Sequence, residues 1–239
     1  MRVVICIGGS VLAPDLDAER VEAHAATLSR LDREGCEVAA VVGGGTVARE
    51  YIGTARALDA NEFQLDELGI GVTRLNARLL IAALGDRAAA DPATSYDEAA
   101  AAVRRGEVSI VGGLTPGQTT DAVAAALAEC IDADLLVYAT SADGVFDADP
   151  ETDPEADQHA ELSASELVDV VAPMSRTAGA SAPVDLLATK LIERSGIRTV
   201  VLDGTDSDHV ADAVLHGDHS GTDVVPDASG DEPTYWVQG

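Results

Sequence analysis

Short runs of apolar residues alternate with longer segments of helical periodicity along most of the chain. Apolar, β-branched runs predict five buried strands and a sixth, short edge strand, at residues 3–7, 37–42, 108–111, 135–139, 199–202 and 222–225. Runs that are apolar at nearly every position are typical of parallel strands covered on both faces. The pattern therefore predicts an α/β fold with a mainly parallel central sheet.

Segments with helical periodicity lie between these strands and have recognisable ends. Helices are predicted over residues 17–34, 46–57 and 70–84, and the first and last of them stop at Gly35 and Gly85. Because the helices separate successive strands, they are expected to cross over the sheet and cover its faces.

Capping signals predict three more helices. Ser95 with Glu98, and Ser163 with Glu166, have the spacing of capping boxes. Pro183 is expected in the first turn of a helix that ends at residue 196, since proline is favoured there.

The length of 239 residues suits one large domain, which we expect over residues 1–226. The segment 147–159 is polar and turn-rich, and we interpret it as a loop rather than a linker between domains. Residues 227–239 are acidic and contain glycine and proline, so we expect a peripheral or disordered tail.

The chain is strongly acidic, with 42 Asp and Glu against 15 Lys and Arg and a formal charge of −27. Such a body repels nucleic acid and anionic membranes, so neither is an expected partner, and an anionic ligand needs a locally positive pocket. Lysine occurs once, at Lys190, and arginine fourteen times. This bias resembles proteins of salt-accumulating halophiles and predicts that folding depends on molar salt.

The three cysteines, Cys6, Cys36 and Cys130, have no metal-binding spacing and lie among apolar neighbours, so we expect reduced core residues. The five histidines have no convincing ligand spacing, and no protein-bound metal site is predicted. No signal peptide or membrane span is recognised, which favours a cytoplasmic protein.

Three glycine turns each follow a predicted strand: residues 8–10, 43–45 and 112–113. The carboxyl ends of parallel strands meet at one sheet edge, and glycine lets backbone amides approach a phosphate closely at a helix start. Plain turn chemistry explains any one of them, but three together predict a phosphate-binding crevice. None is a Walker A loop or a dinucleotide fingerprint.

Two further segments carry candidate chemistry. Thr119, Thr120 and Asp121 are expected at a helix N-terminus, where hydroxyls and free amides suit an oxyanion, although an ordinary N-cap explains them equally well. Phe146 lies in the loop after the fourth predicted strand, where an aromatic ring suits an adenine site and a tight turn is the alternative.

Six motifs in order resemble the archaeal type of uridylate (UMP) kinase, a group within the amino acid kinase superfamily. They are IGGS, VVGGGTVAREY, DELGIGVTRLNA, GGLTPGQTTDAVAA, TSADGVFDADP and DLLATKLIERSGI, between residues 7 and 197. The resemblance implies a three-layer αβα sandwich assembled as a homohexamer of three dimers. It also implies transfer of a phosphoryl group from ATP to UMP with Mg²⁺, in pyrimidine nucleotide biosynthesis.

The resemblance also implies roles for individual positions. The residues matched to the ATP site are Gly9, Ser10, Gly45, Arg49, Thr140, Phe146 and Asp149. The residues matched to the UMP site are Gly44, Asp66, Leu114, Thr115, Pro116, Gly117, Gln118, Thr119 and Thr120. Lys190 and Asp121 match the catalytic lysine near the transferred phosphoryl group and the aspartate that orients the cationic groups.

Two positions depart from the superfamily pattern. Cys6 stands where a first-strand lysine is frequent, and Phe146 replaces the usual tyrosine of the DGVY motif. The first change removes an expected cation. Lys190 is the remaining ammonium, and its survival as the single lysine suggests that a compact charge is needed there.

Two alternatives stay open at this stage. One is another kinase of the same fold, acting on carbamate, acetylglutamate or an isoprenoid phosphate. The other is a non-catalytic nucleotide- or oxyanion-binding protein, which the missing first-strand lysine favours.

Overall fold

The structure is a computed structural model that describes residues 1–148, 150, 153, 155–174 and 184–227. Within these residues seven strands form one sheet: β1 (Arg2–Ile7), β2 (Glu37–Val42), β3 (Ser109–Val111), β4 (Leu135–Thr140), β5 (Glu161–Ser163), β6 (Thr199–Asp203) and β7 (Thr222–Val225). Their order is β3-β2-β1-β4-β6-β7-β5, with β6 and β7 antiparallel and the other neighbours parallel.

Nine α-helices are present in the described part of the chain. They are α1 (Gly9–Leu12), α2 (Ala18–Arg33), α3 (Gly45–Ala57), α4 (Glu62–Leu84), α5 (Tyr96–Arg104), α6 (Thr120–Cys130), α7 (Ala164–Met174), α8 (Leu186–Ser195) and α9 (Ser207–His216). Side-chain caps start several of them, among them Asp17 for α2 and Thr119 for α6.

Helices cover both faces of the sheet. Successive side chains of a strand point to opposite faces, so neighbouring residues of one strand pack against different helical layers. Along β1, Val3 and Ile5 join the core formed with α2, α4 and α9, whereas Val4 and Cys6 join the core formed with α5, α6, α7 and α8. This arrangement confirms the expected αβα sandwich with a mainly parallel sheet.

The strand order reverses direction beside β1. The chain first adds β2 and β3 on one side of β1 and then returns to place β4 on its other side. In an open α/β sheet, this switch point opens a crevice at the carboxyl ends of the strands, which here are the ends of β1 and β4.

Several boundaries differ from the sequence predictions. Helix α4 begins at Glu62 rather than at residue 70, because Asn61 and Gln64 form a reciprocal capping box upstream. Helix α8 begins at Leu186 after the N-cap Asp185, while Pro183 lies outside the described residues. The short β5 and helix α9 were not predicted.

Two expectations about single residues also change. Cys6 and Cys36 are buried, but Cys130, at the end of α6, is exposed and is not a core residue. The capping box of Ser163 and Glu166 forms reciprocally, whereas Glu98 accepts hydrogen bonds from Thr94 instead of from the backbone of Ser95.

Candidate nucleotide-binding cleft

The glycine turns after β1 and β2 lie in direct contact. A Cβ atom added to Gly9 would lie 2.1 Å from the Gly45 nitrogen, and one added to Gly43 would lie 2.6 Å from the Gly9 nitrogen. Gly45 also has a φ of +63°, which glycine adopts without strain. Close packing of two backbones therefore requires glycine here, in addition to any role in phosphate binding.

The third glycine turn contacts helix α4. The Gly113 amide donates to Thr73 Oγ1 at 2.7 Å, and a Cβ atom on Gly112 would lie 2.7 Å from the same oxygen. All three turns line one cleft at the carboxyl ends of the strands, as predicted from the parallel sheet.

A cleft of about 710 Å³ opens above these turns. Twelve of the residues matched by resemblance line it: Gly9, Ser10, Gly44, Gly45, Arg49, Asp66, Gly117, Gln118, Thr119, Thr120, Asp121 and Thr140. The lining combines both matched sets, so one continuous space contacts residues expected for each nucleotide.

Arg49 lies at the β1 side of the cleft. Its Nη2 atom donates to Ser10 Oγ at 2.9 Å and lies 3.4 Å from Thr46 Oγ1. The side chain is thereby held over the start of α1 and α3, where helix N-termini add partial positive charge. Arg49 is the one cationic side chain among the residues that line the cleft in the described part of the chain.

Asp66 and the 114–118 loop form the opposite side. Asp66 Oδ2 accepts a hydrogen bond from the Gly117 amide at 2.7 Å. Gln118 Oε1 accepts from the Tyr96 hydroxyl at 3.3 Å, and Thr119 caps α6 by accepting from the Ala122 amide at 3.1 Å. The C-terminal end of the loop is therefore fixed by hydrogen bonds at residues 117–119.

Asp121 lies at the base of the cleft, where three elements converge. Cys6 Sγ of β1 lies 3.6 Å from Asp121 Oδ1, and the Tyr138 hydroxyl of β4 donates to the Asp121 carbonyl at 2.9 Å. Desolvation, reinforced by the charge of Asp185, raises the pKa of Asp121 from 3.8 to about 6.

Cys6 is neutral in this environment. Burial, together with the Asp121 carboxylate, raises the pKa of the Cys6 thiol well above its ordinary value. The residue at the position of the frequent lysine therefore supplies no charge of either sign to the cleft.

Five of the matched residues do not line the cleft. Leu114 packs on the core beside α6, Thr115 is exposed and Pro116 is partly exposed in the same loop, and Phe146 pairs with Gln158 in an antiparallel bridge. Lys190 projects from α8 with half of its side chain exposed, and its Nζ lies 2.9 Å from Glu193 Oε2. Asp149 lies outside the described residues.

Three residues that sequence reasoning missed hold the site together. Asn76 Nδ2 donates to the Gly43 carbonyl at 2.8 Å, and Thr73 binds the Gly113 amide. Asp185 Oδ2 accepts from the Thr119 hydroxyl, while its Oδ1 caps α8. Thr73 and Asn76 are buried polar residues one helical turn apart on α4. This spacing of two polar residues was the signal in the sequence from which their roles could have been found.

The donor set does not form a metal cage. No group of three or more His, Cys, Asp or Glu side chains able to hold a metal occurs among the described residues. Asp121, Ser10 and Thr120 nevertheless offer oxygen atoms to the cleft. Mg²⁺ is usually held by one or two carboxylates together with substrate phosphates, and this set fits that mode.

Comparison with known proteins identifies relatives over nearly the whole chain. A model described as the amino acid kinase family matches residues 1–203. The chain is 70% identical over 237 residues to a uridylate kinase of Halorubrum lacusprofundi and 62% identical to one of Halobacterium salinarum; each alignment covers 99% of this chain and 98% of the relative.

A solved structure extends the similarity to three dimensions. The crystal structure of uridylate kinase from Archaeoglobus fulgidus superposes with a TM-score of 0.85 at 42% identity, covering 94% of this chain and 100% of that one. The similarity in fold therefore extends over nearly the whole chain.

Proposed function

The chain belongs to the amino acid kinase family, and on that premise we propose that it is an ATP-dependent uridylate kinase, which converts ATP and UMP into ADP and UDP. The observation that carries the proposal is the single cleft at the ends of β1 to β4, lined by both sets of matched residues. Identity of 62–70% over 237 residues to three proteins named uridylate kinase supports the same activity.

ATP is assigned to the side of the cleft formed by the ends of β1 and β4. Gly9, Ser10 and Gly45 offer backbone amides and a hydroxyl to the phosphates, and Arg49 offers a fixed guanidinium. Thr140 borders the proposed nucleoside position, to which the resemblance also assigns Phe146 and Asp149.

UMP is assigned to the side formed by α4 and the 114–120 loop. Asp66 is oriented by the Gly117 amide and accepts hydrogen bonds from the ribose hydroxyls. Gly44 and the loop residues Leu114 to Thr120 surround the remaining parts of the nucleotide, and the N-terminus of α6 faces its phosphate.

Phosphoryl transfer between the two nucleotides depends mainly on the positions of the reacting groups and on the positive charge around them. A phosphate oxygen of UMP attacks the γ-phosphorus of ATP, the bond to the β,γ-bridging oxygen breaks, and ADP leaves. The attacking oxygen is already ionised, so no general base is needed. Mg²⁺ bound with ATP supplies positive charge to the transferred group, and Asp121 with Ser10 offers oxygen ligands toward it.

We propose that Asp121 and Lys190 complete the catalytic machinery. The ionised Asp121 orients the cationic groups that approach the transferred phosphoryl group, and Lys190 leaves Glu193 to become one of them when both nucleotides are bound. Helix α8 begins at Leu186 after its N-cap Asp185, which accepts a hydrogen bond from Thr119 of the cleft. This link supports the proposal that a long side chain on the second turn of α8 reaches the end of the site.

Oligomerisation is proposed from the surface of α4. Leu68, Leu75 and Leu79 are exposed at spacings of seven and four, on one face, and Tyr51 of the neighbouring α3 is exposed too. Residues Glu62–Arg87 are long and apolar enough to cross a membrane, yet Asp66 of this helix lines the cleft. We propose that a second copy of the chain covers this exposed face of α4. In this proposal the assembly is a cytoplasmic homohexamer of single-domain subunits (residues 1–226), and light scattering measures its mass.

An acceptor panel tests the proposed activity. Release of ADP is measured in molar KCl with UMP, CMP, AMP, carbamate, acetylglutamate and isopentenyl phosphate as acceptors. We expect UMP to give the highest kcat/KM, because Asp66 and the 114–120 loop suit a nucleoside monophosphate. Preference for another acceptor, or ATP binding without any acceptor-dependent ADP release, contradicts the proposal.

A further inference from the structure

The turn at residues 143–147 follows β4 and carries Phe146. Its hydrogen bonds to distant parts of the chain are to residues 157–159 and to Thr222, the first residue of β7. The Val145 carbonyl accepts from the His159 amide at 2.9 Å, and the Asp147 amide donates to the Asp157 carbonyl at 3.1 Å. The position of the turn therefore depends on segments that are distant in sequence.

Two side chains make the connection to β7. Thr222 Oγ1 accepts from the Val145 amide at 2.8 Å and donates to the His159 carbonyl at 2.6 Å. Gln158 Nε2 donates to the Asp143 carbonyl at 3.0 Å and to the Ser220 carbonyl at 2.9 Å. Each side chain joins two separate segments, so together they form a clasp around the turn.

The backbone of the turn is fitted to this clasp. A Cβ atom on Gly144 would lie 2.5 Å from Gln158 Nε2 and 2.7 Å from Thr222 Oγ1. Glycine at position 144 thus allows both polar atoms to approach, and the adjacent Val145 is fully buried. Phe146 pairs with Gln158 itself, so a change at the clasp displaces the ring.

We propose that Gln158 and Thr222 are positioning residues that set the geometry of the 143–147 turn for binding the nucleoside of ATP. The inference rests on the proposed function, which assigns that turn to ATP. Neither residue lines the cleft, so both act through the turn and not by touching the substrate. UMP lies on the other side of the cleft, beside Asp66, and its binding is independent of the clasp.

The test compares the KM values for the two nucleotides. Gln158→Glu keeps the shape of an exposed side chain but replaces the donor with an acceptor that repels both carbonyls. Thr222→Val removes the hydroxyl, and Thr222→Ser restores it. Glu155→Gln is the control, because it alters the charge of the same segment at an exposed position.

We expect Gln158→Glu and Thr222→Val to raise the KM for ATP about five- to tenfold, with the KM for UMP changed less than twofold. Thr222→Ser and Glu155→Gln should remain near wild type. An unchanged KM for ATP in Gln158→Glu, or equal rises for both nucleotides, overturns the proposal.

Binding of a fluorescent ATP analogue separates this inference from the proposed function. If the wild type binds the analogue but phosphorylates no UMP, the proposed function fails, while weaker binding by Gln158→Glu still supports the clasp. Unchanged binding by Gln158→Glu rejects the clasp whatever the acceptor. Since Gln158 is exposed, this variant is expected to fold even if Thr222→Val does not.

Discussion

Asp66 and Gly117 are 51 residues apart in the chain, and the Asp66 carboxylate accepts a hydrogen bond of 2.7 Å from the Gly117 amide. This bond joins α4 to the loop before α6 across the mouth of the cleft. The carboxylate proposed to bind the ribose is therefore already oriented, and the loop proposed to surround UMP is fixed by the same group. Ligand recognition and loop position depend on one side chain.

Replacing Asp66 tests this double role. Asp66→Asn keeps an oxygen for the Gly117 amide but removes the negative charge, and we expect the KM for UMP to rise about tenfold or more. The KM for ATP should stay within twofold, because ATP is assigned to the other side. Glu67→Gln, on the exposed face beside it, is the control and should leave both KM values unchanged. Equal changes in the KM values for ATP and UMP would show that Asp66 has no specific role in binding UMP.

Contact between the glycine turns predicts a strong effect at Gly9. Gly9→Ala places a Cβ atom 2.1 Å from the Gly45 nitrogen, against backbone that cannot move independently. We expect a loss of about 3 kcal/mol or more in the free energy of unfolding. Gly53→Ala, within α3 and with no atom within 4 Å of the added Cβ, should instead stabilise the protein by about 0.5–1 kcal/mol. Denaturant unfolding in high salt measures both, and equal stability of the two variants would contradict the packing argument.

The sequence predicted the part of the site that follows from a parallel arrangement of the strands. Parallel strands place their carboxyl ends at one edge, so Gly9, Gly45 and Gly113 had to meet once the strands were recognised. What it did not predict depends on weak or distant signals. Strand β5 has three residues, too few for a periodicity. Helix α9 does carry end signals, with Asp206 as its N-cap and Gly217 after its last residue, and these signals were not used in the prediction.

Side-chain partners were the least predictable feature. Thr73, Asp185, Gln158 and Thr222 are ordinary polar residues in the sequence, and their roles arise only when segments far apart pack together. Lys190 shows the opposite case, since composition singled it out while the structure gives it an ion pair outside the cleft lining. The i,i+3 spacing of Lys190 and Glu193 is visible in the sequence, but the rotamer that decides whether the ammonium faces the cleft is not encoded in spacing.

Lys190 remains the proposed catalytic cation, and its role is testable. Lys190→Ala should lower kcat about 100-fold, because it removes charge from the transition state. Lys190→Arg should restore activity only in part, since a planar guanidinium does not replace a compact ammonium. Glu193→Gln removes the ion-pair partner and should leave kcat unchanged or raise it. Wild-type kcat in Lys190→Ala would remove Lys190 from the mechanism.

The charge of −27 predicts dependence on salt. Repulsion among excess carboxylates opposes the compact state, and ions at molar concentration reduce the screening length to about 3 Å. We expect Tm to rise steadily with KCl up to molar concentrations, in keeping with the halophilic sources of the relatives. Sucrose, which favours compact states without screening charge, is the control and should not replace KCl. Full stability and activity in dilute buffer would refute the prediction.

Titration of Asp121 predicts a difference in stability that depends on pH. The folded-state pKa of about 6 lies above the ordinary 3.8, so the folded protein retains this proton more strongly than the unfolded chain. The resulting stability is complete below about pH 4 and is lost as pH rises through 6. A pKa difference of about 2 corresponds to about 3 kcal/mol.

Asp121→Asn removes this titration while keeping the shape of the side chain. Relative to wild type, the variant should therefore gain up to about 3 kcal/mol of unfolding free energy between pH 4 and pH 7, measured by denaturant unfolding at constant molar KCl. Asp97→Asn, at the start of α5 and exposed to solvent, is the matched control, and an equal gain in that variant would contradict the attribution to burial of Asp121. A pH-independent difference between Asp121→Asn and wild type would mean that the Asp121 carboxyl group ionises as it does in the unfolded chain, and that the base of the cleft does not desolvate it.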